Sequence, residues 1–168
     1  PDPEQAKPED KAQRNFTDPD SRIMPDGAHK GSFVQAYNAQ IAVDAEAQII
    51  VAAEVTQETN DKQQLAPMLE QVQQNTGVKP VASSSDAGYW SPEQVADERV
   101  EGIDLHVAVK RDKHGTPEDT GPSADPVKAA TALDQMKQKL QSEAGRAIYK
   151  MRKAIVEPVF GQIKECRN

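Results

Sequence analysis

The chain has 168 residues, of which 36% are hydrophobic, 4% aromatic and 28% charged, with twelve prolines, so one modest core is what it can build. No window approaches 18 consecutive apolar residues, which excludes a membrane-spanning helix, and a single cysteine with three scattered histidines excludes an internal disulfide and a Cys/His zinc site. The net charge of −7 divides unevenly: Lys137 to Asn168 holds eight Lys and Arg against three Asp and Glu, a net of +5, and the remainder is −12, so only the last segment is suited to attract phosphates.

Residues 1–15 are rich in Pro, Glu, Asp, Gln and Lys and read as a disordered leader or linker. PDPEQAKPED has no basic, apolar or cleavage region of a signal peptide, and reducing cytosol is the expected compartment. The chain opens on proline and closes in IKECRN without a helix stop, so it reads as a piece of something longer.

TDPDS reads as a turn. Residues 33–43 alternate, with Phe33, Gln35, Tyr37, Ala39, Ile41 and Val43 on one face, and are expected to form one strand. Asp44 belongs to the turn DAEA, and residues 48–56 make a second strand of an antiparallel hairpin. Thr59-Asn60-Asp61 offers an N-cap, with Asn60 and Asp61 read as caps. Leu65, Met68, Leu69 and Val72 then keep helical spacing up to Gly77.

Residues 78–85 are a thin strand candidate ending at Asp86. Ser91-Pro92 starts a helix, with Ser91 as N-cap and Pro92 at the first helical position. Residues 103–109 read as a strand, and 110–127 as an exposed, Gly/Pro-rich loop. Helical spacing resumes at about Lys128 with Leu133, Met136 and Leu140, and again from about Arg146. This order gives an α/β or α+β chain with a mixed sheet.

No nucleophile elbow or phosphate-binding glycine loop is present, and His29, His106 and His114 read as surface or loop residues. Asp86 lies between a strand and a helix start, where α/β proteins build sites. It is open between that role and shaping a turn. Glu157 stands in a basic helix and pairs with Lys153 at i−4 or serves a site.

Four segments in order, FTDPDSRIM, the long run from GSFVQAYNAQIAVDAEAQ to MLEQV, SDAGYWS and YKMRKAIVEPVFGQIK, resemble the catalytic part of DDE transposases from bacterial insertion sequences. The resemblance spans residues 14–168 apart from the 110–127 loop. Each motif is weak alone; the ordered series is specific.

The resemblance implies a ribonuclease H-like fold over residues 16–168, a mixed five-stranded sheet flanked by helices. It implies three carboxylates that hold two Mg²⁺ or Mn²⁺ ions about 3.5–4 Å apart, hard ions that take oxygen ligands. The expected activity is hydrolysis at transposon ends followed by strand transfer into target DNA. Asp86 matches the second carboxylate, Glu157 the third and Asp18 the first, with Asp20 and Asp44 as alternatives for the first. The last helix also resembles a Tyr-Arg-Glu-Lys signature at Tyr149, Arg152, Glu157 and Lys164, which would contact DNA phosphates. Arg152 and Glu157 are one residue further apart than in that signature and roughly 140° apart around a helix, so Lys153 is a candidate beside Arg152.

Pro158 is expected to kink or restart the helix just after Glu157. Tyr89 and Trp90 are expected to be packing anchors, and Asn38 and Gln40 are assigned no role. Expected partners are transposon-end DNA, target DNA and further copies of the chain in a homodimer or higher oligomer, with no membrane. The expected location is cytoplasmic and nucleoid-associated. The competing reading is an inactive transposase remnant that acts at most by binding DNA or a subunit.

Overall fold

The structure is a computed structural model that describes residues 15–27, 29–109 and 126–166, with side chains from 131 onward in the last stretch. The leader expected over 1–15 lies almost wholly outside the described residues, as do His114 and residues 110–125 of the expected loop. The described chain is a mixed α/β fold in two compact units, the described residues up to 38 with 56–59, and residues 39–55 with the described residues from 60 on.

In the first unit β1 (Arg22–Pro25) pairs antiparallel with β2 (Phe33–Ala36), from Arg22 opposite Ala36 to Pro25 opposite Phe33. The TDPDS turn precedes β1 as its composition suggests. The Ser21 hydroxyl has the Asp18 carbonyl oxygen at 2.8 Å and Gln35 Oε1 at 3.1 Å within reach of its one hydrogen, joining the turn to β2. Met24 is the buried apolar residue of β1, whereas Phe33 and Val34 are exposed.

The expected single strand over 33–43 is divided at Tyr37. β2 ends at Ala36, and β3 (Asn38–Val43) pairs with β4 (Ile50–Thr56) instead. The turn between β3 and β4 is held by Asp44, whose Oδ1 accepts from the Glu46 and Ala47 amides at 3.1 and 2.7 Å. This is the turn role read for Asp44. The buried residue of β3 is the polar Gln40, on the opposite side from Ile41 and Val43.

α1 (Leu65–Thr76) follows. Its Leu65, Met68, Leu69 and Val72 are all buried, and Gly77 closes it at φ 73°, a conformation that favours glycine. Thr59, Asn60 and Asp61 do not cap it. The N-cap is Gln64, without a side-chain hydrogen bond, and Asn60 turns to the Lys62 amide instead.

β5 (Ala82–Ser85) and β6 (Asp104–Val107) pair in parallel, with Ser84 opposite His106. A parallel pair needs a crossover. Here it holds a 3₁₀ turn at Ala87–Tyr89, the one-turn helix α2 (Pro92–Val95) and a second 3₁₀ turn at Glu98–Val100. Pro92 opens α2 as expected, but the Ser91 hydroxyl donates to Glu93 Oε2 rather than capping the helix. His106 is corrected from a surface residue to a buried one, 2% exposed, bonded through Nε2 to Asp104 Oδ2 at 2.9 Å.

α3 (Pro126–Gln141) and α4 (Glu143–Glu165) pack on each other, and α4 lies against β5 and β6. The main core joins Leu65, Leu69, Trp90, Val100, Ile103, Leu105, Val107 and Met136, and a smaller one joins Ala52, Met68 and Val72. Trp90 is therefore the packing anchor expected of it, and Tyr89 packs at the core's edge.

α4 is continuous from Glu143 to Glu165, with Pro158 inside it, so the expected restart at Glu157 is not found. Among the described residues the strands pair in three two-stranded sheets, and a single five-stranded sheet is not among these pairings. No described helix is long and apolar enough to cross a membrane.

Candidate active site

β5 delivers Asp86 at its C-terminal end. The residue has an extended backbone, φ −80° and ψ −179°, and caps the 3₁₀ turn that follows, its Oδ1 accepting from the Gly88 amide at 2.9 Å. Asp86 is half-buried. One carboxylate oxygen is thus fixed by backbone at a strand end, and the fold places the whole group beside the start of the crossover.

A second carboxylate stands at the same turn. A methyl group built on Gly88 would lie 2.8 Å from Asp61 Oδ2 and 3.0 Å from Asp86 Oδ1, so both acids flank this glycine. Asp61 is held from its other side, where Oδ1 accepts from Gln40 Nε2 at 2.8 Å. The Tyr89 hydroxyl donates to Gln40 Oε1. Burial first, then the charges of Asp61 and Asp86, push the Tyr89 hydroxyl pKa well above the ordinary tyrosine value. Tyr89 therefore stays protonated and donates.

Sequence reasoning missed Asp61 and Gln40. Asp61 sits in a stretch rich in cap-forming residues, and the cap expected there concealed its long-range contacts. A glutamine amid the apolar residues 39–43 was the available signal, since a buried amide needs partners.

Glu157 is on α4 and exposed, as are Lys153 and Lys164. The helix that carries Glu157 packs on β5, the strand that ends at Asp86. Tyr149 and Arg152 are half-buried, and the Arg152 guanidinium lies over the Tyr149 ring, 5.5 Å from its centroid. Arg152 Nε is buried and makes no hydrogen bond among the described residues. The ion pairs that lysines of α3 form go to Asp134 and Asp104, and Glu157 is not paired with Lys153 among the described residues. The reading of Glu157 as an i−4 partner therefore gains nothing from the geometry.

Asp18 belongs to the first unit. The Tyr37 hydroxyl lies 2.7 Å from its Oδ1 and 2.9 Å from its Oδ2, and the Asp20 amide lies 3.3 Å from Oδ1. The Asp18 hydrogen bond, followed by desolvation, raises the Tyr37 pKa. Asp20 is exposed and contributes its carbonyl to Arg22 at 2.9 Å.

The donors at the Asp86 turn are carboxylate oxygens, the chemistry that Mg²⁺ and Mn²⁺ take. Among the described residues no three His, Cys, Asp or Glu side chains gather as a group that could hold a metal ion. The oxygen donors fit the expected ions in kind, without forming a ready three-residue cage.

Comparison with known proteins gives no match among curated proteins and none among solved structures. Against protein families, residues 8–167 match the one described as Transposase DDE domain, a span that includes Asp18, Asp61, Asp86 and Glu157. With nearly the whole sequence inside that match, the chain belongs to the transposase DDE domain family.

Proposed function

We propose that residues 16–168 form a ribonuclease H-like catalytic domain that hydrolyses phosphodiester bonds at transposon ends and transfers the strand into target DNA. The observation that carries this reading is Asp86 at the end of a parallel strand, its Oδ1 fixed by the Gly88 amide, with the Glu157 helix packed on that strand. Strand ends next to helix starts are where open α/β sheets place ligands.

Asp18, Asp86 and Glu157 are the carboxylates that would hold two divalent ions, Mg²⁺ or Mn²⁺. Such ions, when bound, lower the pKa of a nucleophilic water or hydroxyl and stabilise the leaving oxygen of a phosphodiester. The protein's own part is to fix the carboxylate directions. The Gly88 amide does so for Asp86, and Tyr37 does so for Asp18 within its own unit.

Tyr149, Arg152, Lys153 and Lys164 would receive the DNA backbone. Lys153 and Lys164 are exposed point charges on α4, and Arg152 is oriented by the Tyr149 ring. The net charge of +5 from Lys137 on concentrates attraction for phosphate on this last segment of the chain while the acidic remainder repels it. Synapsis of two transposon ends calls for a homodimer or higher oligomer, and the nucleoid is the matching location.

The test is strand cleavage and joining with Mg²⁺ or Mn²⁺ on duplexes carrying the element's ends, comparing the wild type with Asp86→Ala and Glu157→Ala. Loss of both steps in folded variants supports the reading. Full cleavage by either variant overturns the assignment of that residue. A folded, DNA-bound wild type that never cuts identifies an inactive remnant.

A further inference from the structure

Gln40 and His106 are the most deeply buried polar side chains among the described residues, each at 2% exposure, and both ends of the Gln40 amide are used. The polarity of that amide is dictated by its neighbours. Asp61 Oδ1 takes the Nε2 hydrogen at 2.8 Å. On the other side the Tyr89 hydroxyl donates to Oε1. A flipped amide would set its oxygen against the Asp61 oxygen and lose that hydrogen bond.

These two partners bracket the turn that carries Asp86. Tyr89 ends the 3₁₀ turn that Asp86 caps, and Asp61 Oδ2 lies beside Gly88, whose amide holds Asp86 Oδ1. The route from Gln40 to that carboxylate passes through Tyr89 and through Asp61.

We infer that Gln40 is a positioning residue for the Asp86 carboxylate, tying the 86–89 turn to Asp61 so that the oxygen not held by Gly88 keeps one direction. This deepens the proposed function and rests on its reading of Asp86 as a metal-holding carboxylate. Partners that orient metal ligands in this way are commonly worth about 10–100-fold in metal affinity.

The test is Mn²⁺ binding to the whole chain, followed by electron paramagnetic resonance of the free ion, with folding checked by circular dichroism. Asp86→Ala is expected to abolish specific Mn²⁺ binding. Gln40→Leu is expected to weaken it about tenfold. Tyr89→Phe keeps the ring and its packing and removes one of the two amide partners. It is expected to weaken binding in the same direction, and it carries the test should Gln40→Leu not fold.

Met68→Ala, in the small core beside β4, reports on plain destabilisation: its melting temperature falls while its Mn²⁺ affinity stays at the wild-type value. Gln40→Leu and Tyr89→Phe both binding Mn²⁺ like wild type, with Asp86→Ala deficient, overturns the inference about Gln40 alone. Asp86→Ala binding like wild type overturns the metal reading of Asp86, and the positioning role falls with it.

Discussion

Gln48 Nε2 donates to the carbonyl of Ala154 at 2.8 Å. Ala154 is four residues before Pro158, so its carbonyl is the one that proline, lacking an N–H, leaves without a helical donor. Gln48 reaches it from the β3–β4 turn, where it holds a positive φ of 54°. The helix is thus continuous through Pro158 with a side chain from a distant loop in place of the missing amide. This contact sits about one turn before Glu157.

Removing the side chain in Gln48→Ala is expected to lower stability by about 0.5–1.5 kcal/mol, the range for one hydrogen bond. Pro158→Ala restores the amide donor and is expected to raise stability by about 1–3 kcal/mol, because proline is the poorest residue inside a helix. The informative quantity is the double mutant. Once a residue 158 amide serves the Ala154 carbonyl, Gln48→Ala loses most of its effect, and denaturant melts of the four proteins measure that coupling. Additive effects would mean that Gln48 does not compensate for the proline.

The corner between α3 and α4 depends on Gly145. A methyl group there would lie 2.0 Å from the Lys139 carbonyl oxygen, a backbone atom that cannot swing aside. Ser142 completes the corner, accepting from the Gly145 amide at 3.0 Å and donating to the Lys139 carbonyl at 2.7 Å. Gly145→Ala is expected to destabilise by about 2–3 kcal/mol despite alanine's better helix propensity. Thermal unfolding checks it, and an unchanged or raised midpoint would refute the close approach.

What could be read beforehand depended on whether a residue acts near itself in sequence or far from it. Leu65, Met68, Leu69 and Val72 follow one helical period and are all buried, and Gly77 closes that helix. Asp44 serves a turn within three residues of itself, and its role was legible. Gln40 was not, because Asp61 and Tyr89, which make its burial possible, lie 21 and 49 residues away. The restart expected at Pro158 was misread for the same reason: the compensating donor is 106 residues upstream of Ala154. Asp86 was legible as a strand-end acid, whereas its neighbour Asp61 was concealed by a stretch that looks like a helix cap.

Acid stability has a defined contributor in Asp97. Hydrogen bonds from Arg99, side chain first and then backbone, hold its carboxyl at about 2 against an ordinary 3.8. The folded value lies below the unfolded one, so the contribution is complete above about pH 4 and fades as pH falls through about 2. Arg99 is partly open to solvent, which limits the pair to about 1 kcal/mol or less. Asp97→Asn keeps an acceptor for the Arg99 amide and removes the charge. Its melting temperature is expected to trail the wild type at about pH 6 and to converge with it near pH 2. A gap that is constant with pH would place the effect outside this ion pair.

Gly88 tests the geometry of the acid pair without deleting either acid. Glycine-to-alanine changes commonly stabilise by about 0.4–1 kcal/mol where the backbone tolerates them, because the unfolded chain loses freedom. Gly88 has no positive φ to forbid alanine, so the backbone itself raises no objection. The obstacle is the pair of oxygens, Asp61 Oδ2 at 2.8 Å and Asp86 Oδ1 at 3.0 Å from the new methyl group. Asp61 cannot retreat without stretching its bond from Gln40, and Asp86 cannot move without loosening its bond from the residue 88 amide. Gly88→Ala is therefore expected to lose about 1–3 kcal/mol and to weaken Mn²⁺ binding about tenfold. A variant that is more stable than wild type and binds Mn²⁺ equally well would show that the two carboxylates do not close on this glycine. The shared role of Gln40, Asp61 and Tyr89 at Asp86 would then lose its geometric basis.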